Sequence, residues 1–343
     1  MIRSDIRSLT AYHVPDSSGL IKLDAMENPY TLPDNLRSEW SHLLSSSNIN
    51  RYPDADMLDL RRRIAEREGV DADQVLIGNG SDEIIQMLIM AADPGACAVP
   101  KPTFVMYEHI AKWLKRPVAS MPLKADFSLD AMAFLNMCAR EKASLAFLSC
   151  PNNPTGNMWP REDVQQIADN FRGLLIIDEA YGPFATDTYR DMITRNVMLL
   201  RTFSKLGMAG LRLGYALGDA AIIADLNKVR LPYNINSLTQ LSASFFLEHY
   251  AVFEEQAKMI CQERERMSTA LSALDKLEVF PSQANFLLLR VANATAVFEG
   301  LKQAGILIKN LHAKGSLLEG CLRVTIGLPE ENDRFVNALK ELI

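Results

Sequence analysis

Residues 174–181 read Leu-Leu-Ile-Ile-Asp-Glu-Ala-Tyr, and residues 197–205 read Val-Met-Leu-Leu-Arg-Thr-Phe-Ser-Lys. Each is a short apolar run that stops abruptly at charged and polar residues. Runs of this length are too short for most helices and match strands buried on both faces. The same punctuation recurs outward from this pair. Candidate strands are Gln74–Ile77, Leu145–Ser149 and Leu213–Leu217, besides Leu174–Ile177 and Val197–Thr202. Helical patterns lie between them: Met57–Glu68, closed by Gly69; Glu83–Ala92; and Arg161–Phe171, opened by Pro160. This alternation predicts an α/β fold with a large, mostly parallel sheet flanked by helices.

From about Ser237 the pattern changes. Two long helical stretches, Leu238–His249 and Val252–Leu274, precede candidate strands at Asn285–Arg290 and Cys321–Ile326. A helix near Val297–Ala304 and a closing helix at Glu331–Leu342 complete a smaller α/β unit. The expected organisation is an arm at residues 1–35, packing with the small domain or a partner, a large domain at 36–237 and a small C-terminal domain at 238–343. A chain of 343 residues suits two domains.

Lys plus Arg number 36 against 42 Asp plus Glu, a net charge of −6. Nucleic acid and anionic membranes call for a basic face, so neither is expected as a partner. The N-terminal stretch has no apolar run of signal-peptide length, and no apolar stretch reaches membrane-spanning length. The five cysteines form no CxxC pair and sit mostly in apolar surroundings, the pattern of buried thiols in a reducing compartment. A cytoplasmic location follows as an expectation. The five histidines have no metal-ligand spacing and read as structural or surface residues, so no metal is expected; only His312, before Gly315, has a second reading, as a substrate-facing residue.

Four local signals bear on chemistry. Gly78-Asn79-Gly80-Ser81-Asp82-Glu83 follows a strand and opens a helix. Free backbone N–H groups and the dipole there suit a phosphate, although an ordinary tight turn has the same composition. Glu83 stands where a dinucleotide fingerprint needs its third glycine, and no GxxxxGK[ST] occurs. Pro151-Asn152-Asn153-Pro154-Thr155-Gly156 makes a turn just where ligands of parallel α/β sheets bind. Asp178 ends an apolar strand; it is either solvated there or paired with a cation, such as a pyridinium nitrogen or a magnesium-bound phosphate. Finally, Lys205 lies seven residues before Arg212. A turn bringing both to one phosphate would lower the lysine pKa and make it a usable nucleophile.

Taken in chain order, the phosphate loop, the Asn turn, the strand-end Asp with Tyr181 and the Ser-Lys with Arg212 resemble the class I/II aminotransferases of pyridoxal-phosphate (PLP) fold type I. The resemblance spans nearly the whole chain. A closer likeness, to the histidinol-phosphate aminotransferases, is carried by several segments. These are Leu9–Tyr12, Asp24–Pro29, Arg51-Tyr52-Pro53-Asp54, Ser282–Phe286 and Gly320-Cys321-Leu322-Arg323-Val324.

That resemblance implies PLP held by Lys205 as a Schiff base and ping-pong transfer from histidinol phosphate to 2-oxoglutarate, a step of histidine biosynthesis. It implies that Asp178 keeps the pyridine nitrogen protonated, that Tyr181 and Asn153 bond the ring's phenolic oxygen, and that Tyr107 stacks on the ring. The phosphate would meet Gly80, Ser81, Asp82, Thr202, Ser204 and Arg212, with Tyr52 reaching it from the second subunit of a homodimer. Arg323, Tyr12, Lys309 and Asn153 would bind substrate. Lys309-Asn310 departs from the pattern, because many relatives carry an arginine there. Within the same fold the alternatives are an aspartate or aromatic aminotransferase and an amino-acid-phosphate decarboxylase. A non-catalytic PLP-binding regulator is the alternative from another class. The failed glycine fingerprint counts against a nicotinamide-dependent dehydrogenase.

Overall fold

The structure is a computed structural model describing residues 1–11 and 14–343. After a short helix, α1 (Ser4–Arg7), and a two-residue strand, β1 (Ile21–Lys22), the chain enters helices α2 (Asp34–Ser45) and α3 (Leu58–Glu68). Seven strands then form the main sheet: β2 (Val75–Gly78), β3 (Ala96–Lys101), β4 (Val118–Pro122), β5 (Ala143–Ser149), β6 (Leu174–Asp178), β7 (Val197–Thr202) and β8 (Gly214–Leu217). Their spatial order is β2-β8-β7-β6-β5-β3-β4. All neighbours are parallel except β8, which runs antiparallel to both β2 and β7.

Period-two alternation explains why the central strands are apolar throughout. Ile176, Met198 and Leu200 pack against Ile84 and Leu88 of α4 (Ser81–Ala91), Tyr107 and Ile110 of α5 (Met106–Trp113), and Ile223 of α8 (Ala220–Asn227). Their neighbours Ile177 and Leu199 join the opposite core with Ile64 of α3, Phe134 of α6 (Ala131–Arg140) and Val164 of α7 (Arg161–Asn170).

Helices α9 (Ser237–Glu248) and α10 (Tyr250–Ser272) lead to a second sheet. Its strands, β9 (Leu277–Val279), β10 (Phe286–Val291), β12 (Lys309–Asn310) and β13 (Cys321–Thr325), run in the order β12-β13-β10-β9 and are all antiparallel. Helices α11 (Ala294–Gln303) and α12 (Pro329–Leu342) pack with it, and β11 (Ile306–Leu307) pairs in parallel with β1. The N-terminal segment is thereby tied to the C-terminal region. Thr325 N–H donates to Leu23 O at 2.9 Å as well.

Two strands of the main sheet, β3 and β4, have no counterpart among the expected elements. β3 contains Pro100 and small residues, and β4 alternates with polar positions at the sheet edge, so neither shows a sustained apolar run. The main sheet has a topological switch at β3 and β5: the chain passes outward from β3 to β4, then returns to the other side of β3. A crevice opens beyond the carboxyl ends of strands at such a point.

Candidate active site

Three of the expected residues, Asn153, Lys309 and Arg323, come from different elements and meet at that crevice. A cavity of about 470 Å³ is lined there by Phe104, Asn153, Lys309, Leu311, Arg323 and Met26. Phe104 follows β3, Asn153 follows β5, and Lys309 and Arg323 face each other across β12 and β13.

Asp178 is the last residue of β6 and is buried. Its Oδ1 accepts Ala180 N–H at 2.9 Å and its Oδ2 accepts the Tyr107 hydroxyl at 2.6 Å. Burial pushes its carboxyl up to about 6, against the lowering effect of those two bonds; the neighbouring Asp82 and Glu179 charges push the same way as burial. Lys205 sits in the short turn Ser204–Leu206 after β7, half-buried, with Nζ donating to Ala25 O at 3.3 Å. Desolvation chiefly, then the Arg323 charge, lower its amine to about 8, with Arg212 adding to the effect. Its Nζ stands 5.8 Å from the centroid of the Tyr181 ring.

The turn is held from several sides. Ser204 N–H donates to Thr202 Oγ1 at 3.1 Å, Thr202 Oγ1 donates to Leu213 O at 3.2 Å, and Asn28 Nδ2 donates to Leu206 O at 2.9 Å. Opposite it, Gly80 precedes α4 with φ +78. A side chain there would meet Arg212 Nη2 at 2.9 Å, so glycine leaves the guanidinium room beside the helix start. Arg212 also lies 3.7 Å from Asp82. Close packing on Gly214, whose missing Cβ would stand 2.6 Å from Ser81 N, seats the start of α4 against β8.

A hydrogen-bonded line crosses the crevice. Asn153 Nδ2 donates to Tyr181 Oη at 3.1 Å, and Asn153 Oδ1 accepts Arg323 Nη1 at 2.6 Å. Arg323 Nη2 also donates to Asp24 O at 3.0 Å and its guanidinium stands 5.3 Å over the Phe286 ring.

Tyr107, Tyr52 and His312 lie outside the lining of this cavity. Tyr107 is fully buried, stacked on Phe147 with centroids 4.6 Å apart, and spends its hydroxyl on Asp178. A ring with no exposed face cannot cover a ligand; Phe104, three residues earlier and edge-on to Tyr107, lines the cavity instead. The signal for Phe104 was the turn after β3, invisible while β3 itself was unrecognised. Tyr52 is 81% exposed and stacks on Tyr233, with ring centroids 4.5 Å apart. His312 accepts Gly320 N–H at 2.9 Å and lines a separate surface hollow with Arg290. Tyr12 lies outside the described residues. Among the described residues no cluster of His, Cys, Asp or Glu could hold a metal ion, and no helix is long and apolar enough to cross a membrane.

A mostly parallel sheet with a buried Asp, a low-pKa lysine and a glycine-opened helix at one edge defines a class, and comparison with known proteins agrees. The profile described as "Aminotransferase class I and II" matches residues 18–339, and the chain belongs to that family. Among its relatives, Histidinol-phosphate aminotransferase 2 of Nitrosococcus oceani is 46% identical over 99% of this chain and 96% of that protein. The crystal structure of the histidinol-phosphate aminotransferase from Clostridium acetobutylicum superposes with a TM-score of 0.85. It is 25% identical and covers 94% of this chain and 98% of that one. The Sinorhizobium meliloti histidinol-phosphate aminotransferase, solved in complex with pyridoxal-5'-phosphate, shares the fold at a TM-score of 0.89. It is 23% identical, with 99% and 97% of the chains covered.

Proposed function

We propose that this chain is a PLP-dependent transaminase that moves an amino group between histidinol phosphate and 2-oxoglutarate, yielding imidazole-acetol phosphate and glutamate. One observation carries the substrate assignment: Lys309 and Arg323 are paired across β12 and β13 and line the same cavity as Asn153 and Phe104. Two cations side by side suit a dianionic phosphate, while an arginine fork alone also takes a carboxylate. The names of the relatives point the same way.

The residues fit PLP on their own chemistry. A buried carboxylate with a raised pKa calls for a cationic partner, and a protonated ring nitrogen at Asp178 is one. The start of α4, the Ser204 and Thr202 hydroxyls and Arg212 make a phosphate cup, with Gly80 keeping it open. When bound, PLP supplies an electron-accepting ring that stabilises negative charge at the substrate Cα.

Lys205 would attach the cofactor, and its amine, which burial and neighbouring charge lower to about 8, is suited to carry the substrate Cα proton near neutral pH. The Asp178 carboxylate would accept a hydrogen bond from the protonated ring nitrogen. Tyr181 and Asn153 would bond the ring's phenolic oxygen, and Phe104 would lie against the ring. Arg323 holds the anionic end of either substrate, with Lys309 beside it for the phosphate. Tyr52 completes the phosphate cup of the other subunit in a homodimer, which its exposure permits. The separate sheets support a division into a large domain at 36–237 and a small one at 238–343, with the arm 1–35 held against the latter by the β1–β11 pair. A biosynthetic enzyme of this kind works in the cytoplasm.

The test compares kcat/KM for histidinol phosphate, aspartate, phenylalanine and tyrosine in one assay, after borohydride reduction and peptide mapping place the pyridoxyl group. Preference for histidinol phosphate and a label on Lys205 are expected. A faster unphosphorylated amino acid overturns the substrate; a label on another lysine overturns the attachment site.

A further inference from the structure

Behind the strand ends that carry Asp178 and Thr202 lies a buried charge cluster that the reaction described above leaves unused. Glu179 follows Asp178 and Arg201 precedes Thr202, so alternation along the chain turns both toward the other face of the sheet. Arg201 Nε and Nη2 donate to Glu179 Oε2 at 2.9 and 2.6 Å, and Nη1 donates to Glu68 Oε2. Glu68 closes α3 and accepts the Tyr215 hydroxyl at 2.6 Å, while Glu179 Oε1 accepts Tyr189 N–H at 2.6 Å. Both carboxylates are buried, at 5% and 2% exposure. A cavity of about 180 Å³ lies beside them, bounded by Thr202, Phe203 and Leu206 of the lysine turn.

Two buried carboxylates thus share one guanidinium. Arg67 borders the same cavity, but its guanidinium stacks 3.2 Å over the Tyr250 ring and pairs with Glu254 at 2.8 Å. Without Arg201, Glu179 would be a buried, uncompensated anion joined to Asp178 by one peptide bond. The Glu179 charge already disfavours the ionised form of Asp178.

We propose that Arg201 is a positioning residue for cofactor binding: by compensating Glu179 it keeps Asp178 anionic for the cofactor's ring nitrogen. The inference rests on the PLP reading above. Its signature is an asymmetry between the two ends of one ion pair. Removing the cation weakens recognition of the ring nitrogen; removing the Glu179 carboxylate does not. A tie that is only structural loses strength from either end.

The experiment strips PLP from the holoenzyme and measures Kd for PLP and for the analogue in which a ring C–H replaces the pyridine nitrogen. The ratio of the two affinities isolates the Asp178 contact from general damage to the site. Arg201→Met should lower the PLP preference roughly 5- to 50-fold, as expected for one charge acting nearby in a partly buried setting. Arg201→Gln, which keeps a donor but no charge, should lower it likewise and serves if the first variant fails to fold. Glu179→Gln should leave the preference unchanged or raise it. An unchanged ratio in a folded Arg201 variant, or an equal fall in Glu179→Gln, overturns the inference. Wild-type protein that binds neither ligand would remove the PLP reading, and this one with it.

Discussion

Arg323 Nη1 donates to Asn153 Oδ1 at 2.6 Å, so the arginine decides which way the asparagine amide faces. A guanidinium has only donors, and the carbonyl oxygen must therefore turn to it. That leaves Nδ2 to donate to Tyr181 Oη at 3.1 Å. Arg323→Ala is then expected to do two things at once: remove the anion fork and free the Asn153 amide to rotate. Both half-reactions should lose roughly 10- to 100-fold in kcat/KM, the worth of one charged hydrogen-bonding partner. Single-turnover kinetics with glutamate and with histidinol phosphate measure each half. An effect confined to one half would contradict this shared role.

Lys309 stands opposite Arg323 in the strand register, but as a point charge without a fork. Lys309→Ala should raise KM for histidinol phosphate roughly 3- to 30-fold while changing KM for glutamate less than about twofold. Lys309→Arg should retain or tighten phosphate binding. Equal effects on both substrates would mean that Lys309 shapes the cavity and does not select the phosphate.

The Asp178 carboxyl, pushed up to about 6 chiefly by burial, keeps its proton in the stripped enzyme to a higher pH than an ordinary carboxyl does. Pairing with a protonated ring nitrogen requires the anion, so that proton must leave when PLP binds. Affinity should therefore fall as the pH drops from about 7.5 through about 6, where the carboxyl becomes protonated. Asp178→Asn should bind more weakly and lack this component. The cofactor phosphate titrates in a similar range and remains in both profiles, so the difference between the two fluorescence titrations is the quantity to read. Parallel profiles would exclude Asp178 as the ring-nitrogen partner.

Tyr52 tests the shared site. Tyr52→Phe should loosen PLP by about 1.5–3 kcal/mol, the range for a hydrogen bond to a charged group. An inactive Lys205→Ala chain, mixed with an inactive chain altered at Tyr52, should regain activity as heterodimers form, because one site then has both groups. No recovery after verified subunit exchange would refute a cross-subunit Tyr52.

The parts legible in the sequence were those with strong local chemistry. The apolar runs at β5, β6 and β7 announced strands buried on both faces, and their polar stops placed Asp178, Asn153 and Lys205 at one edge. β8 was legible as a strand but not as antiparallel, since a four-residue strand has no mark of direction. β3 and β4 were hidden by Pro100 and by edge polarity, so the reading settled on the buried Tyr107 and passed over Phe104, which lines the cavity. Arg201 carried no local signal: one of its two carboxylate partners, Glu68, lies 133 positions earlier in the chain.

The stretch from Ile21 to Asn28 is bonded on two sides. Leu23 donates its N–H to Leu307 O at 2.8 Å and Asn285 Nδ2 donates to Met26 O at 3.0 Å, while Ala25 O receives the Lys205 amine and Asn28 holds Leu206. The lysine amine thus rests against a carbonyl suspended from the C-terminal strands, like a latch whose catch is mounted on the opposite door. A displacement of those strands would therefore reach the lysine turn at two points, the Ala25 carbonyl on the Lys205 amine and the Asn28 amide on Leu206 O.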